Sequence, residues 1–220
     1  MDSNAWLLHH YPSGQTSLKL VFFTREAGKV IGLFKGGRNL KKHEPVSAFT
    51  RLWISYSVSN GWCYVNKTNN FSAPLVLKDT RLFAAFYINE LLYYFLQPGE
   101  PYPHLYDAYE HTLYALETET TPEVLELCLR EFEWIVLREG GYSLACEDIK
   151  ARAHYVFVPG EGFKLSASGY LGEHIQAIIA GDFADAAILY TAKRVMRQAI
   201  ADLLNGHPFI SRQLYRSYHG

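Results

Sequence analysis

Near residue 80 the chain changes the period of its hydrophobic pattern, and this change limits what it folds into more than any other feature. Before it, Ala5 to Tyr11, Thr16 to Thr24, Lys29 to Lys35, Phe49 to Val58 and Trp62 to Thr68 are short runs rich in β-branched, aromatic and Leu residues. Turn chemistry separates them: Pro12-Ser13-Gly14, Arg25-Glu26-Ala27-Gly28, Gly36-Gly37-Arg38-Asn39 and Ser59-Asn60-Gly61. Five strands joined by tight turns predict a small closed barrel, because closure removes exposed strand edges. An OB-fold fits this outline, and so do an SH3-like barrel and a small sandwich.

Beyond Asp79 the apolar residues recur at helical spacing in Arg81 to Gln97, Leu105 to Glu117 and Pro122 to Glu139. Thr121 followed by Pro122 is a good N-cap with proline at the first helical position, and Gly140-Gly141 stops the third helix. Residues 143 to 170 read as irregular, with a turn at Pro159-Gly160-Glu161-Gly162. Two more helices are expected, Leu171 to Ala180 and Phe183 to Asn205, the latter opened by Asp182 and closed by Gly206; a short segment from Pro208 to Tyr218 follows. The expected class is α+β: a β-barrel in residues 1–80, then a helical domain in residues 81–220 with a basic C-terminal portion.

The formal net charge of −1 conceals a strong division. Residues 1–80 hold 10 Lys and Arg against 4 Asp and Glu, residues 81–140 hold 3 against 11, and residues 141–220 hold 8 against 7. A basic first third points to a localised surface for a polyanion, while the acidic middle steers nucleic acid away from itself. No run approaches the roughly 20 apolar residues of a membrane span, and Met1 to Gln15 has neither a basic leader nor a continuous apolar stretch. The expected address is therefore the cytoplasm.

Cys63, Cys128 and Cys146 are scattered and form no CxxC pair, so neither a disulfide framework nor a thiolate zinc site is indicated. His9 and His10 are adjacent in a strand and are expected on opposite faces, and no HExxH occurs, so no metal and no other cofactor is expected. The motifs of nucleophile elbows, dinucleotide folds and phosphate loops are missing as well. Glu90, Glu110, Glu131 and Glu133 read as solvated helix faces rather than as an acid and base pair. The chain is expected not to be an enzyme.

The densest local signal is the stretch from Leu33 to Lys42, where Lys35, Arg38, Lys41 and Lys42 crowd a glycine-containing loop that leaves a strand. Glycines admit close approach of a phosphate chain, and four cations release condensed counterions on binding; a solvated hairpin loop has the same composition. Trp53, Tyr56, Trp62, Tyr64 and Phe71 are interleaved with this charge. Such rings stack on bases in single-strand binders, but a barrel also needs large side chains inside. Trp62 and Tyr64 share one face of their strand and Cys63 and Val65 the other, so only one pair can be core.

A second basic surface is offered by the last long helix, where Ile188, Ala192, Val195, Ala199 and Leu203 form one stripe and Lys193, Arg194 and Arg197 lie opposite. Arg212 and Arg216 extend that patch, or else belong to an ordinary solvated face.

Several segments resemble the RecO family of DNA repair and recombination mediators, in order along nearly the whole chain. They are Ala5-Trp-Leu-Leu-His-His-Tyr-Pro12, Phe23-Thr-Arg-Glu-Ala-Gly-Lys29 and Phe34-Lys-Gly-Gly-Arg38 in the first third; Phe86-Tyr-Ile-Asn-Glu-Leu-Leu92 and Leu129-Arg-Glu-Phe-Glu133 in the middle; and Ala192-Lys-Arg194 and Gly206-His-Pro208 near the end. The resemblance implies an OB-fold on a helical domain, binding of single- and double-stranded DNA, annealing of complementary strands and association with the nucleoid. It also implies a complex with RecR and docking of the C-terminal tail of single-stranded DNA-binding protein, which indirectly helps RecA onto DNA. Many relatives carry a four-cysteine zinc finger; this sequence resembles the metal-free branch. Carried over, the family's DNA-binding face falls on Lys35, Arg38, Lys41 and Lys42, and the tail-binding arginine on Arg130, which is equally placed for an intrahelical pair with Glu126 or Glu133. The competing reading is a protein-interaction scaffold whose barrel binds a protein rather than DNA.

Overall fold

Strict alternation of inward apolar residues builds the first structural layer in the computed structural model, which describes every residue except 40, 42, 44, 119–120, 143–147 and 220. Strands β1 (Asp2–Ser13), β2 (Ser17–Thr24), β3 (Gly28–Phe34), β4 (Arg51–Ser59) and β5 (Trp62–Asn70) close into a barrel in the order β1-β2-β3-β5-β4. The closing pair, β3 with β5, is parallel, and the other pairings are antiparallel. This Greek-key closure is that of an OB-fold and decides between the barrel types open to the sequence. Leu7, Leu20, Phe22, Val30, Phe34, Leu52, Ile54, Tyr56 and Val65 fill the interior, each large side chain stabilising the fold by roughly 1.5–3 kcal/mol through burial. Gly32 permits the closure: a Cβ there would lie 2.7 Å from Cγ2 of Val65.

One irregularity sets which side chains leave the barrel. In β1 the register to β2 shifts between Leu7 and His9, so that Leu8 is the additional residue of a β-bulge. Leu7 faces the core opposite Phe22, whereas His9 and Tyr11 stand opposite Val21 and Lys19 on the outer side. His9 and His10 stand opposite Val21 and Leu20, on alternate faces as expected of strand neighbours, with their ring centroids 6.3 Å apart.

Helices α1 (Asp79–Phe95) and α2 (Pro103–Thr118) pack on the outer face of β1 and β2. Trp6 meets Tyr109 edge to face at 5.9 Å, and Phe23 meets Tyr106 at 5.2 Å. Between them the buried amide of Asn89 donates to the carbonyls of Leu7 (3.4 Å) and Leu8 (3.5 Å), and its oxygen accepts the Tyr109 hydroxyl. A barrel bulge, α1 and α2 thus share one buried polar joint. The barrel, α1, α2 and the C-terminal helix form one compact unit, Met1–Glu117 with Phe209–Gly220.

The other unit, Thr118–Pro208, holds α3 (Pro122–Glu139), a small sheet, α4 (Gly172–Ala180) and α5 (Ala186–Leu203). The span expected to be irregular contains β6 (His154–Val158), β7 (Gly162–Ser166) and β8 (Tyr170–Leu171), paired in the order β7-β6-β8. The Pro159 to Gly162 turn is its hairpin connection. The last long helix starts later than expected, because Gly181 at φ +76 and the Asp182 amide close α4 and Asp185 caps α5, accepting from the amides of Ala187 and Ile188. The final segment is a helix, α6 (Ile210–His219), whose first amides Ile210 and Ser211 donate to the Glu90 carboxylate. Among the described residues, no helix is long and apolar enough to cross a membrane.

The joint at Asn89 makes a sharp test. Asn89→Leu removes the donor to both bulge carbonyls and the acceptor of the Tyr109 hydroxyl, and is expected to cost about 2–4 kcal/mol in urea unfolding. Phe86→Leu, on the same helix but 39% exposed, is expected to cost less than about 1.5 kcal/mol.

Candidate nucleic-acid interface

The outward positions of the barrel strands fall into register across the sheet. Tyr11 on β1 stands opposite Lys19 on β2, Lys19 opposite Leu33 on β3, Leu33 opposite Tyr64 on β5, and Tyr64 opposite Ser57 on β4. A single cross-strand row thus carries an exposed lysine between two tyrosines. The Lys35 ammonium lies 5.0 Å above the Tyr64 ring, a cation-π contact that leaves the charge at the surface. Lys67 and Trp62, the latter 67% exposed, follow on the outer side of β5.

The basic loop joins this row at the β1–β2 turn. The Arg38 amide donates to the Thr16 carbonyl at 2.9 Å and its guanidinium to the Gln15 carbonyl at 3.1 Å. Lys35, Arg38 and Lys41 are all exposed; Lys42 lies outside the described residues. The Lys41 amide is fixed by the Asn39 side chain. The faces of β5 separate as sequence allows: Cys63 and Val65 pack on the core, Trp62 and Tyr64 point outward. Tyr56 is core and Phe71 is 58% exposed. Trp53, on the outer side of β4, is half-buried.

Not all of the first third's positive charge reaches this face. Arg25 pairs with Asp107 on α2 at 2.7 Å, and Arg51 with Glu110 on α2 at 3.3 Å. The guanidinium of Arg25 holds the Asp107 carboxyl below its usual range. Lys29 on β3 donates to the carbonyls of Tyr93 and Leu96 at the end of α1 and lies over the Tyr93 ring, and burial pushes its ammonium below the ordinary lysine range. These three cations bind the barrel to the helices, and Lys29 supplies the positive charge that the last turn of α1 lacks. Lys19 was missing from the expected site; its signal is that it lies between Leu18 and Leu20, whose inward placement turns it out.

In the second unit, the three cations expected to act together are held differently. Lys193 pairs with Glu126 on α3 at 2.8 Å. Arg194 lies over the rings of Tyr170 and Tyr190 at 5.6 and 5.9 Å. Arg197 is exposed beside them on α5. The buried stripe is Thr191, Ala192, Val195, Met196, Ala199 and Ile200, as the periodicity requires. Arg212 and Arg216 are on α6, in the first unit. Arg212 is wedged over Tyr87 and Phe209 at 4.7 Å each and donates to the Tyr87 hydroxyl at 3.0 Å, so it anchors α6 to α1; Arg216 is exposed.

Arg130 is 5% exposed and adopts the paired arrangement, with both acids rather than one. Its guanidinium meets Glu133 at 2.9 Å and Glu126 at 3.4 Å. Because Glu126 also receives Lys193, the four side chains form one charge chain, Glu133–Arg130–Glu126–Lys193, linking α3 to α5. Among the described residues no cluster of three His, Cys, Asp or Glu could hold a metal.

A family model described as "Recombination protein O C terminal" matches residues 80–148. Similar proteins named DNA repair protein RecO come from several bacteria. That of Legionella pneumophila (strain Corby) is 42% identical over 220 residues, 96% of each chain. That of Tolumonas auensis is 33% identical over 229 residues, 98% of this chain and 95% of the relative. That of Psychromonas ingrahamii is 33% identical over 227 residues, 96% of each.

The charge chain predicts asymmetric mutational costs. Arg130→Ala strips the fully buried Glu133 of its guanidinium and is expected to destabilise by about 3–5 kcal/mol in chemical unfolding. The double replacement Arg130→Met, Glu133→Leu removes both charges and is expected to cost less than half as much. Equal losses would show that the pair contributes nothing beyond packing.

Proposed function

Because the chain belongs to the RecO family, we propose that it acts in DNA repair and homologous recombination as a non-enzymatic mediator. It binds single- and double-stranded DNA through the barrel, anneals complementary strands and, with RecR, helps RecA replace single-stranded DNA-binding protein. The observation that carries the DNA-binding part is the Tyr11–Lys19–Leu33–Tyr64–Ser57 row with Lys35, Arg38 and Lys41 beside it. Cations along a strand-sized track neutralise phosphates without regard to sequence, and the tyrosine rings offer stacking faces that any base fits. Lys42, Arg194, Arg197 and Arg216 are proposed as further phosphate contacts. Lys193 is paired with Glu126, and Arg212 is half-buried and bonded to the Tyr87 hydroxyl, so their contribution to DNA binding is smaller than that of the exposed Arg194, Arg197 and Arg216.

Docking of the acidic tail of single-stranded DNA-binding protein is proposed for the second unit. Glu126 occupies Arg130 and Lys193 as a tail carboxylate would, so the tail binds by displacing it. Glu126→Gln is then expected to strengthen binding of a synthetic tail peptide several-fold in fluorescence anisotropy; weaker or unchanged binding removes this pair of cations from the docking site.

Phosphate-dominated affinity gives the test of the main reading. In a salt titration with a single-stranded oligonucleotide, Lys35→Ala combined with Arg38→Ala is expected to lower the slope of log K against log salt by about 1.4, or ~0.7 per lost phosphate contact. Annealing of complementary strands should slow in parallel. A chain that fails to bind the oligonucleotide even at low salt would favour the scaffold reading.

A further inference from the structure

The cleft between β1, α1 and α6, about 460 Å³ in volume, has no role in the reading above. Rings dominate its walls. Tyr11 and Tyr93 share a hydroxyl hydrogen bond of 2.8 Å, His9 meets Tyr11 at 4.3 Å and Tyr93 at 5.8 Å, and Tyr94 stands edge-on to Tyr93 at 5.0 Å. Phe86, 39% exposed, and Leu214, 52% exposed, line it as well.

Two features decide what such a cleft receives. The first is continuity: Tyr11 is both a wall of the cleft and the end of the cross-strand row, directly opposite Lys19. A chain laid along the row arrives at the cleft without leaving the barrel surface. The second is charge. Glu90 is the one acid among the described lining residues, and both of its oxygens are engaged: Oε1 accepts from the Ile210 amide at 2.8 Å, and Oε2 accepts from the Ser211 amide at 2.9 Å and its hydroxyl at 2.6 Å. This carboxylate is further neutralised by the N-terminal end of α6. The recess is therefore aromatic, and the acid among its described lining residues is already committed.

A flat aromatic ligand tethered to phosphates fits both features, since ring faces stack on it and Lys19 meets the adjoining charge. We infer that this cleft is a nucleobase pocket, which takes one unstacked base from the single strand lying on the barrel row. The inference rests on the DNA-binding reading and assigns a specific place for base contact within it.

The experiment compares two 15-residue single strands, one of thymidine and one of the same length with abasic sugars, against the whole protein across a salt series. The unmodified protein is expected to prefer the thymidine strand by about tenfold or more, within the range of base–aromatic stacking. Ala48→Trp, which fills the cleft from a half-buried lining position, is expected to shrink that preference to about twofold while the salt slope stays the same. Leu214→Trp fills it from the exposed side on α6 and should act alike should Ala48→Trp fail to fold. An undiminished preference in a folded filled variant overturns the pocket while leaving phosphate binding intact. Failure of the unmodified protein to bind either strand at low salt overturns the DNA-binding reading and the pocket together.

Discussion

The hydrogen bonds from Asn89 to the Leu7 and Leu8 carbonyls are the constraint on which the rest of the first unit depends. A one-residue bulge has to be held, because its additional residue breaks the ladder and leaves backbone groups in need of partners. Asn89 supplies them from α1 and is itself fixed by Tyr109 from α2. The consequence is directional. Were Leu8 paired in regular register, His9 would stand opposite Leu20 and Tyr11 opposite Leu18, both turned toward the core. With the bulge in place, Tyr11 instead stands beside Lys19 on the outer face. A single buried amide thus connects helix packing to the composition of the exposed sheet surface.

Electrostatics divides along the same line. Arg25, Lys29 and Arg51 fasten the barrel to α1 and α2, whereas Lys19, Lys35, Arg38, Lys41 and Lys67 remain exposed. The acidic helices therefore do two things with one composition. They pair with the barrel cations that face them, and they leave the other barrel cations exposed. Exposed pairs such as Arg25–Asp107 add little to stability; their effect is to fix where charge is cancelled.

The five strands and all five expected helices were legible to within a few residues, because alternation, capping by Thr121 and glycine stops are local signals. The sheet of β6–β8 was not. Its strands are short, Val156 and Leu165 are exposed while Tyr155 and Phe163 are buried, and β8 has two residues, too few to show any period. The α6 segment was also unread as a helix, since its N-terminus is satisfied by Glu90, 120 residues away in sequence, and not by a local cap. For the interface, Lys35, Arg38 and Lys41 were legible as a basic loop. Their neighbours Tyr11 and Lys19 were not, because cross-strand register depends on the bulge at Leu8, which no local motif announces.

The same limit explains why the charge count of the first third overstates the cations left without an acidic partner or a buried contact. Counting treats Arg25 and Lys35 alike, yet one faces Asp107 on a helix and the other lies on a tyrosine ring at the open face. Helical spacing left Arg130 open to a pair with Glu126 or Glu133, and in the fold both carboxylates enclose it. Burial, not sign, separates the two classes. A cation whose guanidinium is satisfied inside the fold contributes specificity of packing, and only one that keeps its hydration exchanges counterions with a polyanion. Lys19 belongs to the second class, because it is exposed on a strand whose other face, at Leu18, Leu20 and Phe22, packs on the barrel core.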